Sequence, residues 1–154
     1  SGTVAVEAAK WDIHFDTTSH SVTDGSVSSS AQQLTGTTAS YTITLSEPDD
    51  FYEFSVKVVN AGTFDANLKS ITLNGLDANQ SKYITHTLTY NGTPYSQTNT
   101  SLSIPLVAAN TDNTDDEATV VVKVAYVQPE NPDHLPSADQ NLTLTAVLNY
   151  EQDE

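Results

Sequence analysis

Apolar side chains recur at every second position in segment after segment of this chain. Trp11, Ile13 and Phe15 alternate with Asp12, His14 and Asp16. Tyr41, Ile43 and Leu45 alternate with Thr42 and Thr44, and Tyr52, Phe54, Val56 and Val58 with Glu53, Ser55 and Lys57. Ile84, His86, Leu88 and Tyr90 are spaced by threonines, and Leu142, Leu144, Ala146, Leu148 and Tyr150 close the pattern. A period of two puts successive side chains on opposite faces of an extended strand, so each segment predicts a strand with one buried face. The β-branched run from Val120 to Val127 predicts a central strand, as does the segment from Tyr52 to Val58.

Turn chemistry separates these runs. Glu47-Pro48-Asp49-Asp50, Asn60-Ala61-Gly62-Thr63 and Asn91-Gly92-Thr93-Pro94 all read as reversals. The stretch from Thr17 to Gly25 is polar and reads as a turn, and 26–38 as an edge strand or ordered loop. Leu68, Ile71 and Leu73 slip phase, which predicts a bulge. Asp77-Ala78-Asn79-Gln80 carries a capping residue and predicts a short helical turn. Pro105 marks an edge strand, because proline cannot donate to a ladder. The sum is about eight strands at short spacing and no long amphipathic helix. The expected fold is all-β, an antiparallel β-sandwich of jelly-roll or Ig-like type. It is expected to form one domain over residues 3–152, with 3–9 as an N-terminal arm strand.

Composition narrows the function. Twenty acidic residues against five basic ones give a net charge of −15. Such a chain repels phosphate backbones, so nucleic acid is not an expected partner. No run of about 18 apolar residues is present to span a membrane. The chain has neither cysteine nor methionine, which removes disulfides and thiolate metal sites. Ser1-Gly2 reads as a tag remnant, and any signal peptide that preceded Thr3 is expected to have been removed.

Several segments together resemble a known family. KWDIHFD, YTITLSEPDDFYEFSVKVVNAGTFDANL, KYITHTLTYNGTP and DHLPSADQNLTLTAVLNYEQ are similar to small exported Firmicutes proteins related to the TasA and camelysin group, which carry SipW-type signal peptides. The resemblance covers roughly residues 8 to 152, and Asp49 departs from the glycine usual in its Pro-Gly-Asp turn. It implies a jelly-roll-like sandwich, secretion from a Gram-positive bacterium, and association with the envelope or biofilm matrix. It also implies that copies can join when the N-terminal strand of one fills a groove in the next. The arm from Val4 to Ala9 is the segment expected to do so here. Expected partners are therefore further copies, other surface or matrix proteins, or glycans.

Candidate chemistry is sparse. The histidines, at 14, 20, 86 and 134, do not form His-Glu-x-x-His, the helical spacing that a zinc peptidase needs; a camelysin-like peptidase is the weakest expectation. His14 and His86 lie on predicted strands that could converge. The acidic run Asp112, Asp115, Asp116 and Glu117 offers oxygen ligands for calcium, without EF-hand spacing. No other cofactor is expected, and no nucleophile elbow or phosphate loop is present. Trp11 leads an apolar face and is expected in the core. The alternative is a sugar-stacking platform with Tyr41, Tyr52, Tyr83, Tyr90 and Tyr95. Lys57 and Lys123 sit within apolar strands and are expected on the solvent face.

Overall fold

In the computed structural model the alternating segments become ten antiparallel strands in two sheets. The described residues are 8–29, 32–109, 115–128, 130–131, 133, 135–136 and 138–153. The strands are β1 (Ile13–Gly25), β2 (Gln33–Thr35), β3 (Thr38–Leu45), β4 (Phe51–Asn60), β5 (Ala66–Asn74), β6 (Ile84–Tyr90), β7 (Thr93–Tyr95), β8 (Ile104–Leu106), β9 (Glu117–Tyr126) and β10 (Gln140–Gln152). The first sheet runs β1-β4-β9-β6-β7 and the second β2-β3-β10-β5-β8. This is the antiparallel sandwich that the periodicity predicts, with β9 central in one sheet and β10 in the other.

The core lies between the two sheets. Inward rows such as Tyr52, Phe54, Val56 and Val58 on β4 and Leu142, Leu144, Ala146 and Leu148 on β10 are buried together in one hydrophobic core. Hydrogen bonds cross that interior at its few polar points. Tyr41 on β3 and His86 on β6 share one. The hydroxyls of Tyr90 and Tyr150 meet at 2.9 Å. Asn60, 2% exposed, donates to the Phe64 carbonyl at 2.9 Å and the Leu106 carbonyl at 3.0 Å. Its own carbonyl oxygen accepts from the Gly62 N–H at 3.1 Å. Buried polar groups persist only when paired in this way.

The turns follow their chemistry. Asp49, between β3 and β4, takes φ 77°; Asn91 and Gly92 take φ 45° and 89°, the positive values that a two-residue hairpin between β6 and β7 requires. The slip at Leu68 is a bulge: Asn149 pairs with Ser70 and Tyr150 with Leu68, leaving Lys69 as the extra residue. Residues Gln80–Lys82 form one 3₁₀ turn, closed by Asp77 accepting from the Gln80 N–H at 2.7 Å while Gln80 Oε1 accepts from the Asp77 N–H at 3.1 Å. Pro105 lies on β8, an outermost strand.

Two expectations are corrected. The polar stretch from Thr17 is no turn, since β1 continues to Gly25. β1 stays paired with β4 across a bulge, between Asp16 and Ser21 advancing five positions while β4 advances two, and beyond Phe15 its described side chains are half-buried or exposed. Ser19 stabilises the bulge, donating to the Asp16 carbonyl at 2.7 Å and accepting from the Lys57 N–H at 2.8 Å. Trp11 is no core anchor, being 47% exposed. It precedes β1 by two residues and stands where β3 has ended, beside Thr37, Asn149 and Tyr150 of the opposing sheet.

Candidate interaction surfaces

The predicted site residues scatter. His14 Nδ1 lies 2.7 Å from Asp12 Oδ1 near the start of β1, opposite Val59. His86 pairs with Val124, which faces Tyr52. Seven residues of β4, about 23 Å at the usual strand rise, separate the two levels, so these histidines do not converge. His20 packs its ring on Phe54, 5.5 Å between centroids, and His134 lies outside the described residues. His86 is buried, and desolvation lowers its pKa to about 4. It is a neutral group linking the sheets.

Asp112 also lies outside the described residues. Asp115 and Asp116 use backbone carbonyls to accept from the N–H groups of Val107 at 3.1 Å and Asn60 at 2.7 Å. Glu117 begins β9, and its carboxylate meets Lys57 Nζ at 3.2 Å. Among the described residues no three His, Asp or Glu side chains converge as a metal site. Lys57 and Lys123 are exposed as expected, Lys123 Nζ lying 5.0 Å from the centre of the Phe51 ring. The sugar platform does not form: Tyr41, Tyr52, Tyr83 and Tyr90 are core residues.

The structure instead offers three surfaces. The first is an uncovered edge. β10 pairs with β3 only as far as Val147 opposite Thr38, while on its other side it pairs with β5 to Gln152. Residues 149–152 therefore lack a strand on the β3 side among the described residues. A cleft of about 210 Å³ lies there, lined by Trp11, Ile13, Thr37, Asn149 and Tyr150. Residues 10–12 reach this cleft along the turn after β4. The Ala61 N–H donates to the Asp12 carbonyl at 2.8 Å and the Thr63 N–H to the Lys10 carbonyl at 2.9 Å. Gly62 makes the approach possible, since a Cβ there would stand 2.6 Å from the Lys10 carbonyl oxygen.

The second surface is an open groove of about 830 Å³ between the sheets, walled by Val22, residues 25–29, Gln32, Thr44 and Tyr52. The Tyr52 hydroxyl donates to Gln32 Oε1 across it at 2.8 Å. The third is the outer face of the second sheet. Its rows are Thr44 beside Asn141, Thr42 beside Thr143, and Ser40 beside Thr145 and Asn74. Thr38, Val147 and Thr72 follow, then Asn149 and Ser70. Side chains interlock along it: Thr44 donates to Asn141 Oδ1 at 2.8 Å, and Asn149 Nδ2 to Ser70 at 2.8 Å and Thr72 at 3.2 Å. Compared with family models, curated proteins and solved structures, the chain matches none of them.

Proposed function

We propose that this protein is a secreted or cell-surface structural module, of biofilm-matrix or adhesive type, that joins further copies or other matrix proteins by strand addition. One observation carries the reading: residues 149–152 of β10 run past the end of β3 and leave a sheet edge bordered by the Trp11 cleft. An extended segment laid there would extend the second sheet in place of the missing part of β3, with backbone hydrogen bonds for affinity and alternate side chains for fit. The segment suited to it, of which residues 3–7 lie outside the described residues, alternates Val4, Val6 and Ala8 with Ala5 and Glu7 in sequence, and it precedes residues already held at the Gly62 turn. Supplied by a neighbouring copy, it would link sandwiches end to end. The resemblance of the chain to exported matrix proteins points the same way.

Deleting residues 3–9 tests the reading. Sedimentation and electron microscopy of the full chain should show oligomers or filaments that the shortened chain lacks. Equal assembly in both would end the strand-addition reading. A second reading, glycan binding, is favoured by the exposed ring of Trp11 beside its polar cleft. Trp11 is the sole tryptophan, so titration with cell-wall sugars would change its fluorescence if sugars stack there, and an unchanged spectrum removes this reading.

A further inference from the structure

The chain carries 20 acidic and 5 basic residues, yet the paired rows on the outer face of the second sheet hold no carboxylate, and the one charged strand residue beside them is the part-exposed Lys69 at the β5 bulge. From Thr44 and Asn141 at one end to Asn149 and Ser70 at the other, outward positions of β3, β10 and β5 are threonine, serine, asparagine and one valine. On β2, Gln33 and Thr35 extend the same face. Carboxylates on β10's own flanks stand only at its rim, at Asp139 and Glu151. Strand residues facing water need only be polar, and charged ones serve well, as the first sheet demonstrates. Hydration alone therefore does not account for a carboxylate-free face on so acidic a chain.

We infer that this face is a lateral docking surface for a second copy of the chain. Two copies of net charge −15 repel at any approach that brings their carboxylates together. The outer face of the second sheet is the approach that does so least. Depletion of charged residues is also the compositional mark of an interface centre, with a polar rim around it. Hydroxyl and amide groups both donate and accept, so the face complements itself about a two-fold axis. A soluble neutral polymer would meet the same hydroxyls, but no aromatic ring lies among these rows to stack on a sugar.

The dimensions set the strength. Four strands about 4.8 Å apart and eight residues of rise along β10 give roughly 500 Å² per copy. The total of about 1,000 Å² is below that of most stable complexes. The contact is weak and reversible between free copies, and it becomes effective when many copies are aligned along a filament. In that respect it deepens the strand-addition reading: end-to-end links would make filaments, and this face would bundle them.

The test uses the full chain in analytical ultracentrifugation at high protein concentration, at low and high salt. Lateral association should rise with salt, because salt screens the body charge and leaves a neutral contact intact. Asn141→Asp with Asn149→Asp changes one atom at each site: residue 141 keeps the oxygen that accepts from Thr44, and at 149 the Ser70 and Thr72 hydroxyls, which now accept from the amide, can donate to the carboxylate instead, so the fold should melt nearly unchanged. It places four carboxylates in a two-fold contact and should weaken association at least tenfold, while Thr87→Asp on the opposite face should not. Thr145→Asp, in the middle of the face, provides a second variant with the same expectation. Association that falls with salt, or that is equal in the face variants and the parent, overturns the inference. So does binding to microcrystalline cellulose that is lost in Asn141→Asp with Asn149→Asp while the parent stays monomeric. If deletion of residues 3–9 removes filaments but leaves salt-promoted pairs, strand addition fails and the lateral contact stands. If the face variants keep bundling, the reverse holds.

Discussion

The two sheets share one core and turn opposite characters to solvent. The first exposes Asp16, Glu53, Lys57, Glu117 and Lys123 on its outer side, and some of these are engaged. Lys57 pairs with Glu117 at 3.2 Å, and Lys123 sits over the Phe51 ring. The second exposes hydroxyls and amides linked strand to strand. Both solutions keep a sheet soluble, so the difference is not a matter of hydration. An ion-paired face presents a fixed field that sorts what approaches, whereas a neutral face admits whatever fits it. The inner sides, by contrast, are alike: apolar rows tied by a few buried polar groups.

Four measurements would break or sharpen that contrast. The largest effect belongs to the shared interior. Leu144→Ala on β10 and Val122→Ala on β9 remove fully buried side chains. The leucine change should cost about 2–5 kcal/mol and the valine change somewhat less by chemical denaturation; a small loss in one sheet alone would show that the core is not common to both. Next comes acid. His86 titrates at about 4 in the folded chain against 6.5 when free. Between those values the unfolded chain binds a proton that the folded chain refuses, so stability falls as pH drops from about 6.5 to about 4. The drop should reach roughly 3 kcal/mol and then level off. His86→Gln, which still offers Tyr41 a partner, should flatten that slope in parallel melts; an unaltered slope would assign it to other groups.

Asn60→Ala is third. It removes the three bonds that link the end of β4 to the Phe64 and Leu106 carbonyls and the Gly62 N–H, and should cost about 2 kcal/mol. Asn60→Asp should not rescue it, because a carboxylate cannot donate to the two carbonyls. The smallest effect concerns the outer faces themselves. Lys57→Ala should cost under about 1 kcal/mol, less in high salt, since its ion pair is exposed. A cost that salt leaves unchanged would mean that the lysine stem, and not its charge, supports the sheet.

Much of the fold was legible in the sequence because alternation reports burial directly. Tyr52 to Val58 and Leu142 to Leu148 could hardly be anything but inward rows, and Asn91-Gly92 dictated its hairpin. The bulge showed as the misphased Leu68 and Ile71. The extent of β1 was hidden, because an edge strand with a bulge buries too few side chains to leave a period. Trp11 misled for a related reason: it continues the phase of Ile13 and Phe15 out to the open sheet edge, where the neighbouring residues cover it only in part. Of the surfaces, little could be read. The neutral face needs the pairing of β3 with β10 and β5 before its residues become neighbours. His86 did leave a signal, a polar residue in the inward slot between Ile84 and Leu88, where burial demands a partner. The identity of that partner, Tyr41, 45 positions away, belongs to the tertiary structure alone.

β10 is the last of the ten described strands and occupies the middle of its sheet, with β3 on one flank and β5 on the other. Strands made early must wait for it. A ribosome that stalls, or a protease that clips before residue 140, does not merely trim a border; it takes out the keystone, and half the sandwich has nothing to lean on. The second sheet therefore cannot form until its tenth strand has been made.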